Sequence, residues 1–159
     1  MALKGTRNPL EESIRYTCES ASEAGFLTVV TTVGSGVVLG DRAGKSSIVS
    51  NPSGYKVAGL LTHPVESVDE TRYERNRHNG ATKTGERACL GRKGQWTTNA
   101  LVSGQSPTDG GVAYLGADGK LTATMSSTGG LVATPMVGAF VGAKDENGYV
   151  TVDLNLPVV

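Results

Sequence analysis

Residues 40–46, with the sequence GDRAGKS, are the segment of this chain most similar to a phosphate-binding loop. A P-loop has four residues between its two glycines and continues into a helix whose amides face the phosphates. Here three residues separate Gly40 from Gly44, and residues 47–52 favour a strand and a turn. We therefore interpret the segment as a hairpin turn and expect no nucleotide site.

Two cysteines and two histidines are the other candidates for chemistry: Cys18, Cys89, His63 and His78. None of them pairs at a metal-ligand spacing or forms a C-x-x-C sequence, so we expect free thiols, no metal and no cofactor. A nucleophilic site assembled by the fold from Cys89 or a serine with one histidine stays open. With no positive signal for such a site, the prediction is that the chain is not an enzyme.

Composition favours a small, turn-rich domain. The 159 residues include 22 glycines but only 5% aromatics, so little apolar surface can be buried and much backbone entropy is lost on folding. Oligomerisation would supply the missing stability, and we expect a homo-oligomer. The formal net charge is zero, which gives no overall attraction to nucleic acid or membrane. The sequence contains no apolar run of membrane-spanning or signal-peptide length, which predicts cytoplasmic production.

Residues 71–94 are an exception to the even charge distribution. Seven basic residues face only Glu74 and Glu86, an excess of five positive charges. The aromatic residues do not alternate with them as a base-stacking platform requires, so an exposed face that meets an acidic protein, or only water, is favoured over nucleic-acid binding. The basic residues are Arg72, Arg75, Arg77, Lys83, Arg87, Arg92 and Lys93.

Most of the chain predicts short strands separated by glycine-containing turns. The clearest is residues 150–156, where alternation places Val150, Val152, Leu154 and Leu156 on one face after the Asn147-Gly148 turn. The fold class predicted is mainly β, an antiparallel sandwich or barrel of short strands with an N-terminal helix or arm. Further strands are expected at 26–33, 37–39, 47–49, 55–61, 87–90, 95–102, 112–115, 121–124 and 136–143.

The first 25 residues differ from the remainder. Asn8 and Pro9 suit the start of a helix and Gly25 its end. The apolar stripe of this helix would be narrow, so we expect an arm that is ordered mainly by docking on a neighbour. The predicted division is residues 1–25 as arm or short helix and residues 26–159 as β domain. The stripe consists of Leu10, Ile14, Cys18 and Ala21.

Three blocks carry a family resemblance: residues 51–61 (NPSGYKVAGLL), 91–99 (GRKGQWTTN) and 138–157 (GAFVGAKDENGYVTVDLNLP). Together with residues 107–120, they resemble the head decoration, or cement, proteins of tailed bacteriophages. The blocks are turn and strand patterns and contain no chemical motif, so the function they imply rests on family-level analogy.

The resemblance implies a virion structural protein, expected as a homotrimer, on the outside of a phage capsid. It would clamp neighbouring major capsid proteins, its partners, and would bind no nucleic acid or membrane. Deleting residues 1–25 is expected to weaken capsid binding and leave the β domain folded. The residues expected to contact capsid or neighbouring subunits are Leu10, Ile14, Tyr16, Arg72, Arg75 and Arg77.

Two other classes of function stay open. A phage tail or adhesion β-module would bind host surface glycans and show no affinity for capsid shells. A small hydrolase would lose activity when both His63 and His78 are replaced, whereas a cement protein would retain its binding.

Overall fold

The computed structural model describes residues 8–13, 15–34, 44–64, 81–82, 84–125 and 134–157. These residues form twelve strands and one turn of 3-10 helix, Ala117–Gly119. The strands are β1 Asn8–Ser13, β2 Thr17–Cys18, β3 Ser22–Glu23, β4 Leu27–Thr32, β5 Lys45–Ser47, β6 Val57–Pro64, β7 Ala81–Thr82, β8 Ala88–Thr98, β9 Val112–Leu115, β10 Leu121–Thr122, β11 Met136–Val141 and β12 Val150–Asn155. No helix among the described residues is long and apolar enough to cross a membrane.

The prediction of a mainly β fold is confirmed. Nine strands follow one another in the order β10-β9-β11-β12-β8-β6-β4-β5-β2, and β1 joins them by pairing with β8. Neighbouring strands in this sheet are antiparallel except β2 and β5, which are parallel, so the sheet is mixed. A separate two-stranded sheet joins β3 to β7.

The sheet curls around a central core. Its first half, β9 to β12, and its second half, β4 and β6, contribute side chains to a single apolar cluster that contains Trp96, Phe140 and Leu27. The turn between β9 and β10 reaches the second half, where the Asp118 N–H donates to the Val49 carbonyl at 3.0 Å. The two halves are therefore joined by side-chain packing and by backbone contact.

The predicted alternation in β12 is confirmed. Val150, Val152, Leu154 and Leu156 all lie in the central core, and Asp153 is exposed on the other face. The preceding turn is held by Asp145, whose carboxylate accepts the N–H groups of residues 147 and 149 at 3.0 and 2.7 Å. The hairpin predicted from the Asn-Gly pair therefore joins β11 to β12.

The N-terminal helix is not confirmed, and the described residues there form strands. β1 pairs antiparallel with β8, β3 pairs antiparallel with β7, and β2 pairs parallel with β5. Leu10 and Ala21 are exposed while Cys18 is buried, so the expected apolar stripe does not form one face. Backbone pairing with a long neighbouring strand outweighs the weak helix-capping signals, because tertiary context overrides local propensity.

Residues 16–25 also take part in the core. Tyr16 and Cys18 belong to a second apolar cluster with Val30, Leu61 and Leu90, on the other face of β4, β6 and β8. Deleting residues 1–25 would thus remove core side chains along with β1. A deletion that ends before Arg15 is the sharper test of the arm.

Several strand boundaries differ from the predicted ones. The expected strands at 87–90 and 95–102 are a single strand, β8, which continues through Gly91 and Gly94. Gly91 is required there because an added β carbon would lie 2.5 Å from the indole ring of Trp96. The strand expected at residues 37–39 lies outside the described residues.

Candidate interaction surface

Neither thiol has the properties of an activated nucleophile. Burial, with the nearby Glu86 carboxylate, raises the pKa of Cys18 to about 11. Burial also raises the pKa of Cys89, whose Sγ lies 3.6 Å from Oε2 of Glu12 as a hydrogen-bond donor. Reactive cysteines have lowered pKa values, so both thiols are protonated and poorly nucleophilic at neutral pH.

The histidines and the segment that resembles a P-loop form no catalytic or ligand-binding arrangement among the described residues. His63 lies opposite Cys89 in the β6–β8 register, and His78 lies outside the described residues. Lys45 and Ser46, from the segment that resembles a P-loop, lie in strand β5, so no helix follows the loop as phosphate binding would require. Within the described residues, no three His, Cys, Asp or Glu side chains converge as a metal would require.

The structure describes three of the seven basic residues of this stretch, Arg87, Arg92 and Lys93. Arg72, Arg75 and Arg77 lie outside the described residues, as does Lys83. Arg92 has a side chain only 5% exposed, so it cannot face a macromolecular partner. Lys93, in contrast, is half-exposed, and its Nζ forms an ion pair with Oε2 of Glu11 at 3.5 Å.

Arg92 instead joins four parts of the fold. Its Nη1 donates to the carbonyl of Ala58 in β6 at 3.0 Å, and its Nη2 donates to the carbonyl of Pro157 beyond β12. Its Nε lies 3.7 Å from Oε1 of Glu11 in β1. A buried guanidinium is tolerated only when paired and hydrogen-bonded, and these contacts meet both conditions.

The structure separates the other expected contact residues. Leu10 is 80% exposed, at a register shift of β1 between Pro9 and Glu11. Tyr16 is 3% exposed and packs inside the second apolar cluster, so its ring is not available to a partner. Ile14 lies outside the described residues. Leu10 is therefore the one expected contact that the described part of the chain presents to solvent.

An exposed apolar surface lies on the side of β9 and β11 that faces away from the central core. We call it the outer β9–β11 face, and it consists of Val112, Tyr114, Met136, Ala139 and Val141. Val112 lies opposite Ala139 and Tyr114 opposite Met136, and directly opposed residues of antiparallel strands point to the same side. Met136 is 65% exposed, and Val112 and Val141 are each 40% exposed.

Polar residues border this face. The neighbouring β12 places Asp153 opposite Ala139 and Thr151 opposite Val141. The Thr151 hydroxyl in turn hydrogen-bonds the hydroxyl of Thr97 in β8 at 3.0 Å. An exposed apolar patch with a polar border is typical of protein–protein contact surfaces.

Sequence reasoning did not identify the outer β9–β11 face. Strand β9 was predicted at its observed bounds, but Val112 to Leu115 are apolar at every position, so the alternation does not say which face is buried. The absence of alternation was itself a signal for this face. A strand that is apolar on both sides needs a partner on each side, and the core covers only one of them.

The comparison with known proteins adds no relative. No protein-family model matches the chain, and no curated protein matches it.

Proposed function

We propose that this chain is a capsid decoration protein that binds the outside of a phage head and clamps neighbouring major capsid proteins. The observation that carries the proposal is the outer β9–β11 face. Burying that face against another protein removes exposed methionine and valine side chains from water, which is favourable by roughly 25 cal/mol per Å² of apolar area. A binding module requires such a surface, whereas an enzyme requires converging polar groups.

The family resemblance supports the same function. The resembling blocks correspond to the turn before β6 with the first five residues of that strand, to β8 without its first three residues, and to the β11–β12 hairpin. In the proposed assembly, the protein is a homotrimer on the virion surface, assembled in the host cytoplasm. Several weak contacts from one trimer would then combine through their effective concentration into stable attachment.

Co-sedimentation of the purified full chain with expanded, undecorated phage heads tests the proposal. Light scattering gives the mass of the free protein in the same experiment. We expect saturable binding by a trimer. Absence of binding would contradict the proposal, and saturable binding to host glycans instead would favour an adhesion module.

A pair of variants tests the surface. The double variant Val112→Asp/Val141→Asp places two charges on the outer β9–β11 face. It should weaken capsid binding by about tenfold or more, which corresponds to about 1.4 kcal/mol. Val33→Asp is the matched control, because Val33 is 76% exposed beyond the end of β4, a strand that does not pair with β9 or β11. Equal binding by both variants would exclude this face as the contact.

A further inference from the structure

Strand β1 covers an edge of β8 that no other described strand pairs with. At Gly91, β8 pairs with Leu60 of β6 and also with Glu12 of β1. At Gln95, β8 likewise pairs with Asp153 of β12 and with Asn8 of β1. A strand has two edges, so β6 and β12 follow one another along one edge of β8, and β1 occupies the opposite edge. Without β1, the backbone N–H and C=O groups on that edge of β8 would lack partners in the sheet, which is the condition under which a strand recruits another strand.

The side chains of residues 10–13 of β1 lie outside the apolar core. None of these four residues belongs to either apolar core cluster. Its pairing with β8 is interrupted by two register shifts, one on each side of Glu11. Its side-chain attachments include the ion pairs of Glu11 and the contact of Glu12 with Cys89. A segment with little apolar burial can open as a unit before the cores do, so β1 can separate from β8 without disrupting either apolar cluster.

The uncovered edge would select for an acidic strand. Arg92 is almost fully buried, and Glu11 is the carboxylate that lies against it. Loss of β1 would leave this charge without its counterion, which is costly at a buried site. Lys93 adds a second positive charge beside it, 3.5 Å from Glu11. Strand β1 pairs with the backbone of β8 and places a carboxylate beside Arg92 and Lys93. Every copy of the chain carries such a strand, so a second copy can supply it.

The outer edge of β1 is poorly suited to recruiting a further strand. Pro9 has no N–H to donate, the register shifts bend the strand, and Glu11 and Glu12 add charge. Natural proteins use these features to prevent pairing at an edge. Pairing between chains is therefore favoured at the edge of β8 and not at that of β1.

We propose that β1 exchanges between copies of this chain: β1 of one copy pairs with β8 of another and presents Glu11 to the Arg92 of that copy. Two residues, 14 and 15, separate β1 from the buried Tyr16. The body of each copy keeps its own core, and the exchanged strand reproduces the same contacts in the neighbour. Exchange of an identical element is a low-cost route to dimers, and it would operate whether or not the protein binds capsids.

Cross-linking by single cysteines tests the exchange. Asn8 lies opposite Gln95 in the β1–β8 register, a spacing that permits a disulfide between directly opposed residues. Full-length Asn8→Cys and a mass-tagged Gln95→Cys are mixed, unfolded, refolded together and oxidised, so that slow exchange cannot hide the result. Thr97→Cys mixed with Thr151→Cys is the control, because that pair joins β8 to β12 inside one body. Cys18 and Cys89 are buried and present in every sample.

Exchange predicts a disulfide-linked heterodimer from Asn8→Cys and Gln95→Cys, several-fold above the control mixture. Adding Glu11→Gln to the Asn8→Cys copy should reduce its yield several-fold, because the acid that matches Arg92 is gone. A heterodimer yield no greater than that of the control, with the double variant Asn8→Cys/Gln95→Cys closing only within one chain, would overturn the proposal. Capsid co-sedimentation of the unmodified protein tests the proposed function separately.

Discussion

Gly91 leaves no room for a side chain beside the only tryptophan of this chain. A β carbon at this position would lie 2.5, 2.7 and 2.9 Å from three carbon atoms of the Trp96 indole, where ordinary contacts are 3.4 Å or more. Gly91→Ala must therefore displace a ring or a strand by about 1 Å. The ring is 0% exposed in the central core, so any movement also displaces its neighbours.

The expected cost follows from the packing. Overpacking a well-filled core costs about 1–3 kcal/mol, and we expect about 3 kcal/mol because three rigid ring atoms overlap the new methyl group. For a chain of this length, that corresponds to a fall in Tm of about 6–12 °C. Urea unfolding followed by far-UV circular dichroism gives the free energy for every variant, including those that lack Trp96, and thermal unfolding followed by the same signal gives the Tm.

A double-mutant cycle tests the steric cause. Trp96→Leu removes the ring, and in that background Gly91→Ala should cost less than about 1 kcal/mol, which gives a coupling of about 2 kcal/mol. Backbone strain does not contribute to the cost, because the φ of Gly91 lies outside the left-handed region that strains other residues. An equal cost of Gly91→Ala with and without the indole would refute the steric reasoning.

Three further predictions concern a buried charge, a thiol and a turn. Arg92→Met should lower the free energy of unfolding by about 2–3 kcal/mol, since buried carbonyls lose their donors, while Lys93→Met should change it by less than about 0.5 kcal/mol. Urea unfolding measures both values, and an equal loss of stability in the two variants would contradict this prediction. Because the pKa of Cys18 is raised from 9.0 to about 11 in the folded protein, the unfolded thiol loses its proton first, so stability should fall as pH rises from about 9 to 11. Cys18→Ala should reduce that fall in unfolding measured across this pH range, and an unchanged slope would rule the thiol out. Asp145→Ala should lower the free energy of unfolding by about 1 kcal/mol, measured by thermal unfolding, because two turn N–H groups lose their acceptor. Glu146→Ala is the control and should leave the stability unchanged. An unchanged stability of Asp145→Ala would show that the turn does not need the carboxylate.

Local patterns in the sequence were sufficient for the C-terminal hairpin. Alternation in β12 fixes which residues are buried, and the turn residues around Asn147 and Gly148 need no distant partner. The same reasoning failed for residues 8–25, where capping residues favour a helix and β8 supplies a strand edge instead. A helix signal is local, but the pairing that replaces it joins residues more than 70 positions apart.

The candidate surfaces were harder to predict than the fold class. Arg92 and Lys93 are adjacent and both basic in the sequence, yet the structure buries the first and leaves the second half-exposed. Leu10 and Tyr16 were expected to share a contact role, and one is exposed while the other packs in a core. Burial depends on which strands cover a residue, and neighbouring residues in a chain need not share that cover.

The sequence by itself determined that this is a turn-rich β protein with an alternating C-terminal strand, because those properties follow from side-chain types two to four residues apart. Only the tertiary structure decided that β1 closes the edge of β8, that Arg92 is a buried link between strands, and that the outer β9–β11 face is apolar and uncovered. Each of these depends on strand pairing between distant segments. Such pairing is set by the packing of the whole core, which no local pattern contains.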